Sequence, residues 1–352
     1  MSDMLVPLPW NGTSQEINNT NLRWIQDLGD NTWCDLWLRW PKHDLPLGYN
    51  LYIVSFHLEA VDIKWIHQQS QHISAPIIVL SDSNYYDWQH PDNVHPYTFY
   101  WWHHQAKQIV EWFPKPPAKK NLTHKFSAIC NRITQSKLIV FTLLAEYAKE
   151  QSILKLTDWE GQDSRIKTNN EKLDSIANTF YNKWFGKTIK LDDSDQFINV
   201  QRYSASPWTA VYQNCALHFT NESFHYSYMQ DELGYYCYPG PFITEKTLKC
   251  LAGGTGFIPV GQYDTYASLE RVGFKFDYEF DLDFDQDPGN ITRLTKLAEL
   301  TELLIPLGKD EIFNLTKTSS EHNQDHVYSR EFYNQCETHN QKIINKIFLD
   351  FL

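Results

Sequence analysis

The stretch Ala216-Leu-His-Phe-Thr220, followed by Thr244-Glu-Lys-Thr247 and then by Gly256-Phe-Ile-Pro-Val260, indicates the fold of this chain. The first and third segments are short apolar runs of the length of a buried strand. Thr244, between them, is a residue type that commonly caps the start of a helix. A strand, a helix and a second strand in this order predict a parallel βαβ unit.

The same alternation of apolar strands and amphipathic helices recurs on both sides of this stretch. Strands are predicted from apolar, β-branched runs, and helices from apolar residues at helical spacing. The predicted strands lie at 51–56, 76–81, 97–102 and 125–130, and the predicted helices at 138–148, at 173–184 and through most of 290–352. The sequence therefore predicts an α/β chain with doubly wound, Rossmann-like sheets and a helical C-terminal segment.

A proline-rich segment marks the predicted boundary between two domains. The run Phe113-Pro-Lys-Pro-Pro-Ala-Lys-Lys120 lacks periodicity and disfavours both a helix and a central strand. We expect one Rossmann-like domain over 1–118, a second over 119–330, and a C-terminal helix over 331–352. Where two such domains face a cleft, ligands bind at the carboxyl ends of the strands.

Composition and charge disfavour several classes of protein. The 352 residues carry 31 Lys and Arg against 43 Asp and Glu, a net charge of −12, which repels a phosphate backbone and makes nucleic acid a disfavoured partner. The six cysteines form no CxxC pair, which favours reduced thiols and a cytoplasmic location. The sequence has no run of 18 apolar residues, so no membrane span is expected. Peripheral contact with a membrane and the oligomeric state stay open.

The start of the predicted helix at Thr244 is suited to an anionic ligand. With Thr244 as the N-cap, the free backbone N–H groups and the positive end of the helix dipole favour an anion, and Lys246 adds a charge for a diphosphate. Glu245 would accept hydrogen bonds from ribose or sugar hydroxyls. One short segment could thus hold both parts of a nucleotide sugar. The alternative is an ordinary helix start, in which Glu245 complements the dipole and Lys246 is solvated.

Three segments in this order resemble the donor-binding signature of the alpha-1,3-fucosyltransferases. They are Leu217-His-Phe-Thr-Asn-Glu-Ser223, Phe242-Ile-Thr-Glu-Lys-Thr247 and Gly254-Thr-Gly-Phe-Ile-Pro-Val-Gly261. The resemblance implies a GT-B glycosyltransferase with two Rossmann-like domains facing a cleft, the second of which holds a nucleotide sugar, usually GDP-fucose. It further implies inversion at the anomeric carbon and no required metal or other cofactor.

The resemblance also assigns roles to individual residues. Glu245 would hold ribose or sugar hydroxyls and Lys246 the diphosphate, while Phe242 takes the place of a tyrosine in the family and lacks its hydroxyl. Asn221 and Glu222 stand out of order against the Glu-Asn-Ser of the family, which shifts Glu222 by one position. Adjacent side chains on a strand point to opposite faces, so this shift leaves the donor sugar open.

Further candidates follow from the chemistry of the reaction. A diphosphate favours a guanidinium, and Arg202, or alternatively Arg132, is predicted to supply it. An inverting transfer needs a general base that takes the proton of the acceptor hydroxyl. The candidates after the strands of the first domain are Asp82, which we favour, then Glu59 and His57.

Three functional hypotheses follow. The leading one is transfer of a sugar from a nucleoside diphosphate, favouring a GDP-sugar, to a hydroxyl of a glycan or glycolipid. The alternatives are a sugar transferase that modifies DNA, which the net charge disfavours, and a carbohydrate-binding protein without catalysis. The histidines at 90, 95, 103 and 104 lack the spacing of a known metal motif, so no metal site is predicted.

Overall fold

The chain is an α/β protein built on parallel sheets. A computed structural model describes residues 32–35, 44–45, 47–56, 63–81, 90–100, 102–112, 114–116, 121–130, 135–156, 168–189, 210–222, 241 and 243–351. Every strand pair in the two sheets of these residues is parallel, as expected for strands joined by helices. The α/β class predicted from the sequence is thus confirmed. No helix of the described part of the chain is long and apolar enough to cross a membrane.

Contacts along the chain separate two compact units. One unit comprises Met1–Lys107, Ser227–Phe242 and Tyr333–Leu352, and the other comprises Gln108–Tyr226 and Ile243–Phe332. The division between them thus falls about ten residues before the boundary expected at 118. The segment from Tyr333 onward, expected as a separate C-terminal helix, belongs to the first unit.

The first unit contains a sheet of four described strands in their sequence order, β1-β2-β3-β4. Its elements are β1 (Thr32–Asp35), β2 (Leu51–Phe56), α1 (Ile63–Ser70), β3 (Ile77–Ser81) and β4 (Val94–Thr98), and α2 (Trp102–Trp112) begins in this unit and continues past its last residue here, Lys107. The third predicted strand is therefore misplaced, since β4 lies at 94–98 and Trp102 begins a helix. Pro96 fits because β4 lies at the edge of the described sheet, where a missing N–H donor is tolerated.

Both faces of this sheet are covered by apolar side chains. Tyr52, Val54 and Val79 pack in a cluster on one face. On the other face, Ile53 and Leu80 pack with a cluster that includes side chains of the C-terminal helix, Ile344 and Ile347 among them. Burial of both faces explains why these strands are continuous apolar runs rather than alternating ones.

The second unit contains a sheet of four described strands in the order β6-β5-β7-β8. Its strands are β5 (His124–Cys130), β6 (Ser152–Leu156), β7 (Cys215–Asn221) and β8 (Gly256–Val260). The helices that follow α2 are α3 (Gln135–Tyr147), α4 (Glu171–Lys183), α5 (Ala210–Gln213), α6 (Glu245–Gly253), α7 (Thr265–Glu270), α8 (Asn290–Leu304), α9 (Lys309–Val327) and α10 (Arg330–Phe351). Most of α10, from Tyr333 onward, belongs to the first unit. Strand β6, at an edge of the described sheet, was not predicted from the sequence.

Local signals fix both ends of α6. Thr244 is the N-cap, with φ −118° and ψ −179°, and Gly254 ends the helix in the left-handed region with φ 60°. A residue with a Cβ would be strained there, so the glycine is required by the backbone. Gly256 begins β8 directly beneath α9, where an added Cβ would lie 2.4 Å from Thr316 Oγ1. The conformation of Gly254 determines where α6 ends, and the contact at Gly256 determines how closely β8 of the βαβ unit predicted from the sequence packs against α9.

Candidate functional site

The strand order of the second sheet creates a switch point between β5 and β7. From β5 the chain passes to β6 on one side, whereas β7 and β8 lie on the other. Ligands of open parallel sheets bind at such a point, beyond the carboxyl ends of the two strands. Here these ends are Cys130 and Asn221, which are joined by a side-chain contact: Asn221 Nδ2 donates to Ile129 O at 3.1 Å and lies 3.3 Å from Cys130 Sγ.

The amide oxygen of Asn221 is buried and has no hydrogen-bond partner among the described residues. Asn221 as a whole is 3% exposed. A buried acceptor without a donor costs free energy, and such atoms in native proteins call for an explanation. Oδ1 of Asn221 would accept a hydrogen bond from a hydroxyl or N–H of a ligand.

Helix α6 begins next to this strand end. Thr244 Oγ1 accepts a hydrogen bond from Lys246 N at 3.3 Å, which confirms the predicted N-cap. Glu245 and Lys246 occupy the first two positions of the helix. Their side chains are 32% and 29% exposed, so both reach solvent at the predicted site.

The carboxylate of Glu222 is buried against the start of α6. Its Oε2 accepts from Thr244 Oγ1 at 2.6 Å, and its Oε1 accepts from Thr247 Oγ1 at 2.7 Å and from Thr244 N at 3.3 Å. The side chain of Glu222 is 2% exposed. The role of Glu222 as a donor-binding residue, carried over from the resemblance, stays a prediction. The structure shows that Glu222 fastens the end of β7 to the first turn of α6.

The ammonium of Lys246 lies between two carboxylates. Its Nζ is 3.7 Å from Glu222 Oε2, 3.9 Å from Glu245 Oε1 and 3.2 Å from Thr244 Oγ1. The buried Glu222 is therefore compensated by a cation, by hydroxyls and by the positive end of the helix dipole. Because Lys246 and Glu245 are partly exposed, their side chains can turn toward a ligand without unfolding the helix.

Lys249, one turn further along α6, adds a third charged group that the sequence did not single out. It is 8% exposed, and burial is the main cause that lowers the pKa of its ammonium. Glu245 acts in the opposite direction and favours the charged form. The signal that could have found Lys249 is its spacing of four residues from Glu245, which places the two on one helix face.

A buried serine and histidine pair lies within the same sheet. Ser127 on β5 and His218 on β7 are register partners, and Ser127 Oγ is 2.5 Å from His218 Nδ1. Burial lowers the pKa of His218 to about 3, so the imidazole is neutral at physiological pH. Both residues are fully or almost fully buried, which makes this pair a hydrogen bond of the core.

Several predicted site residues lie outside the described residues, and their roles stay predictions. They are the candidate bases His57, Glu59 and Asp82, the candidate diphosphate ligands Arg132 and Arg202, and Phe242. The three strands that precede the candidate bases and Arg132 end as expected, at Phe56, Ser81 and Cys130.

His103, in the first unit, makes a hydrogen bond within the fold. His103 Nδ1 contacts the carbonyl oxygen of Tyr100, and burial lowers the pKa of His103 to about 4. Within the described ranges, no three His, Cys, Asp or Glu side chains converge as a metal ion would require.

The site therefore combines a buried acceptor, Asn221, with a partly exposed pair of opposite charges, Glu245 and Lys246, at the switch point of a parallel sheet.

Comparison of the chain with protein-family models, with curated proteins and with solved structures gave no significant match.

Proposed function

We propose that this chain is a glycosyltransferase of GT-B architecture that binds a nucleoside diphosphate sugar at the start of α6. The observation that carries the proposal is the position of Glu245 and Lys246, both partly exposed, at the switch point between β5 and β7. A cation and a hydroxyl acceptor side by side match a ligand that joins phosphate to a sugar. The resemblance of three segments to the alpha-1,3-fucosyltransferases supports a GDP-sugar as the donor.

Each described residue has a role in this proposal. Lys246 turns from Glu222 to a phosphate oxygen, and Glu245 accepts hydrogen bonds from hydroxyls of the ribose or the transferred sugar. Asn221 Oδ1 accepts from a further donor group of the ligand, which would satisfy its buried lone pairs. The positive end of the helix dipole adds to the attraction of this site for the phosphate.

Transfer then follows the general chemistry of an inverting reaction. A carboxylate of the other unit, for which Asp82 is the favoured residue and Glu59 the next, takes the proton of the acceptor hydroxyl as its oxygen attacks the anomeric carbon. The nucleoside diphosphate departs with the bonding electrons. The acceptor in this proposal is a hydroxyl of a glycan or a glycolipid.

Binding is tested by thermal unfolding with a panel of GDP-, UDP- and ADP-sugars. A ligand present at about one hundred times its Kd stabilises the folded state by about 2.7 kcal/mol and raises Tm. Glu245→Ala and Lys246→Ala should each reduce the shift. Lys317→Ala and Glu321→Ala are matched controls, because this pair on α9 forms an exposed ion pair at 3.9 Å. The proposal fails if no nucleotide sugar shifts Tm, or if both site variants respond as the wild type does.

Catalysis is tested separately with the donor that binds. Release of the nucleoside diphosphate in the presence of glycan and glycolipid acceptors is expected, with a much lower rate for Asp82→Asn. Normal donor binding without hydrolysis or transfer would contradict a transferase and identify a carbohydrate-binding protein instead.

A further inference from the structure

The start of α6 already contains an anion that belongs to the protein. Glu222 accepts hydrogen bonds from one backbone N–H and two hydroxyls of the first turn, which are the groups that a phosphate at a helix N-terminus would use. Its carboxylate is 98% buried and cannot leave this position while β7 and α6 stay packed. A second anion must therefore bind beside Glu222, outside the first layer of donors.

The cation of the site is engaged as well. Lys246 Nζ lies 3.7 Å from Glu222 and 3.9 Å from Glu245. The negative charges of the two carboxylates are balanced by Lys246, by the buried Lys249 and by the half positive charge of the helix start. The formal sum of these charges lies near zero. A site of this charge differs from one built to hold a bare phosphate, in which positive groups are in excess.

We infer that Glu222 is a specificity residue, an internal counter-ion that makes the site select a complete nucleoside diphosphate sugar over free pyrophosphate. A bare anion that takes Lys246 away leaves the Glu222 carboxylate with fewer partners and is repelled by it. A complete donor offsets this cost through hydrogen bonds from its hydroxyls to Glu245. The inference rests on the proposed function for the identity of the donor, but the role of Glu222 toward anions can be tested without it.

The test compares the affinities for inorganic pyrophosphate and for the nucleotide sugar found in the thermal screen, measured by calorimetry. Glu222→Gln keeps the shape of the side chain and can still accept from Thr247 while it removes the charge. Pyrophosphate should bind this variant about ten times more tightly than the wild type, because one close repulsion is removed. The double variant Glu222→Gln with Lys246→Met should lose this gain.

A matched control is Asp285→Asn, since Asp285 is another buried carboxylate at a helix start, that of α7. Its pyrophosphate affinity should equal that of the wild type. Glu222→Ser, which removes the carboxylate with a smaller side chain, is the second variant and should show the same gain as Glu222→Gln.

The affinities of the wild-type protein for the nucleotide sugar and for pyrophosphate provide a second test, which needs no variant. The nucleotide sugar should bind at least about ten times more tightly than pyrophosphate. Equal affinities for the two, or an unchanged pyrophosphate affinity in both Glu222 variants, would overturn the inference. The proposed function fails separately, when no nucleotide sugar binds; a gain of pyrophosphate affinity in Glu222→Gln would then still support the role of Glu222.

Discussion

Two helices of the second unit begin against a buried carboxylate, and they use it differently. At α6, Glu222 is held by threonine hydroxyls and faces the ammonium of Lys246. At α7, Asp285 is held by backbone amides: Thr265 N donates to Oδ1 at 3.1 Å and Tyr266 N donates to Oδ2 at 2.8 Å. Both carboxylates complement a helix dipole, yet the group that faces a partly exposed lysine is the one at the switch point.

The difference separates a structural carboxylate from one at a candidate binding site. Burial is the main cause that raises the pKa of Asp285 to about 7, although its two backbone hydrogen bonds and Arg293 act in the opposite direction. Asp285 thus titrates near neutral pH as an internal cap of α7. Glu222 instead faces the ammonium of Lys246, a cation that is partly exposed to solvent.

Of the variants at these two helix starts, Glu222→Ala should lower the free energy of unfolding the most. The variant removes an acceptor of three hydrogen bonds and leaves buried hydroxyls unsatisfied next to a small cavity. We expect the free energy of unfolding to fall by about 4 kcal/mol, measured by urea denaturation. A loss below about 1 kcal/mol would mean that Glu222 does not fasten β7 to α6.

Asp285 should make stability depend on pH. Its folded pKa, about 7, lies above the ordinary value of 3.8 for an Asp carboxyl, so the folded state binds the proton more strongly and loses stability as pH rises between these values. From pH 4.5 to 7.5 the loss through this group is about 3 kcal/mol. Asp285→Asn should remove that part of the dependence, and parallel wild-type and variant stability curves would contradict the assignment.

Two threonines, one at the start of α6 and one at the start of α7, allow the stability losses from removing a single hydroxyl to be compared. Both losses should be of intermediate size. Thr247→Val deletes a hydroxyl that donates to a carboxylate and should cost about 2 kcal/mol. Thr265→Val deletes one that donates to the carbonyl of Gln262 and should cost about 1 kcal/mol, because a hydrogen bond between neutral groups contributes less. Urea denaturation of both variants checks the order, and an inverted order would contradict the larger contribution assigned to the hydrogen bond between Thr247 and Glu222.

Lys246→Met should change stability least. The ammonium is partly exposed, so its ion pair with Glu222 is screened by solvent and should contribute less than about 1 kcal/mol. Its effect on donor affinity should be far larger than its effect on Tm without ligand. A stability loss equal to that of Glu222→Ala would show instead that Lys246 is a structural partner.

The sequence was sufficient for the elements around α6 because their signals are local. Thr244, Gly254 and the two flanking apolar runs each specify a backbone conformation within a few residues. The edge strands were harder to predict. Strand β6 was not predicted at all, and β4 was placed three residues too late. Strand β4 includes Pro96, which its position at the edge of the described sheet permits.

The role of Glu222 could not be predicted from spacing along the chain. It contacts Thr244 and Thr247, which lie 22 and 25 residues further on, and only the packing of α6 on β7 brings them together. The available signal was a pair of threonines at the N-cap and third helix positions, which supplies two hydroxyls on one side of the helix start. The strand order that creates the switch point is likewise set by pairing between distant segments.

The C-terminal helix has a consequence for biosynthesis. Asn340 on α10 hydrogen-bonds both the N–H and the carbonyl of Tyr100, and Ile344 and Ile347 cover one face of the first sheet. That sheet leaves the ribosome more than 200 residues before its cover, a delay on the order of 10 to 50 seconds at ordinary translation rates. During this interval the nascent chain lacks the cover of an apolar sheet face, and uncovered apolar surface of this kind favours aggregation. Completion of the first unit therefore depends on synthesis of the C-terminal helix.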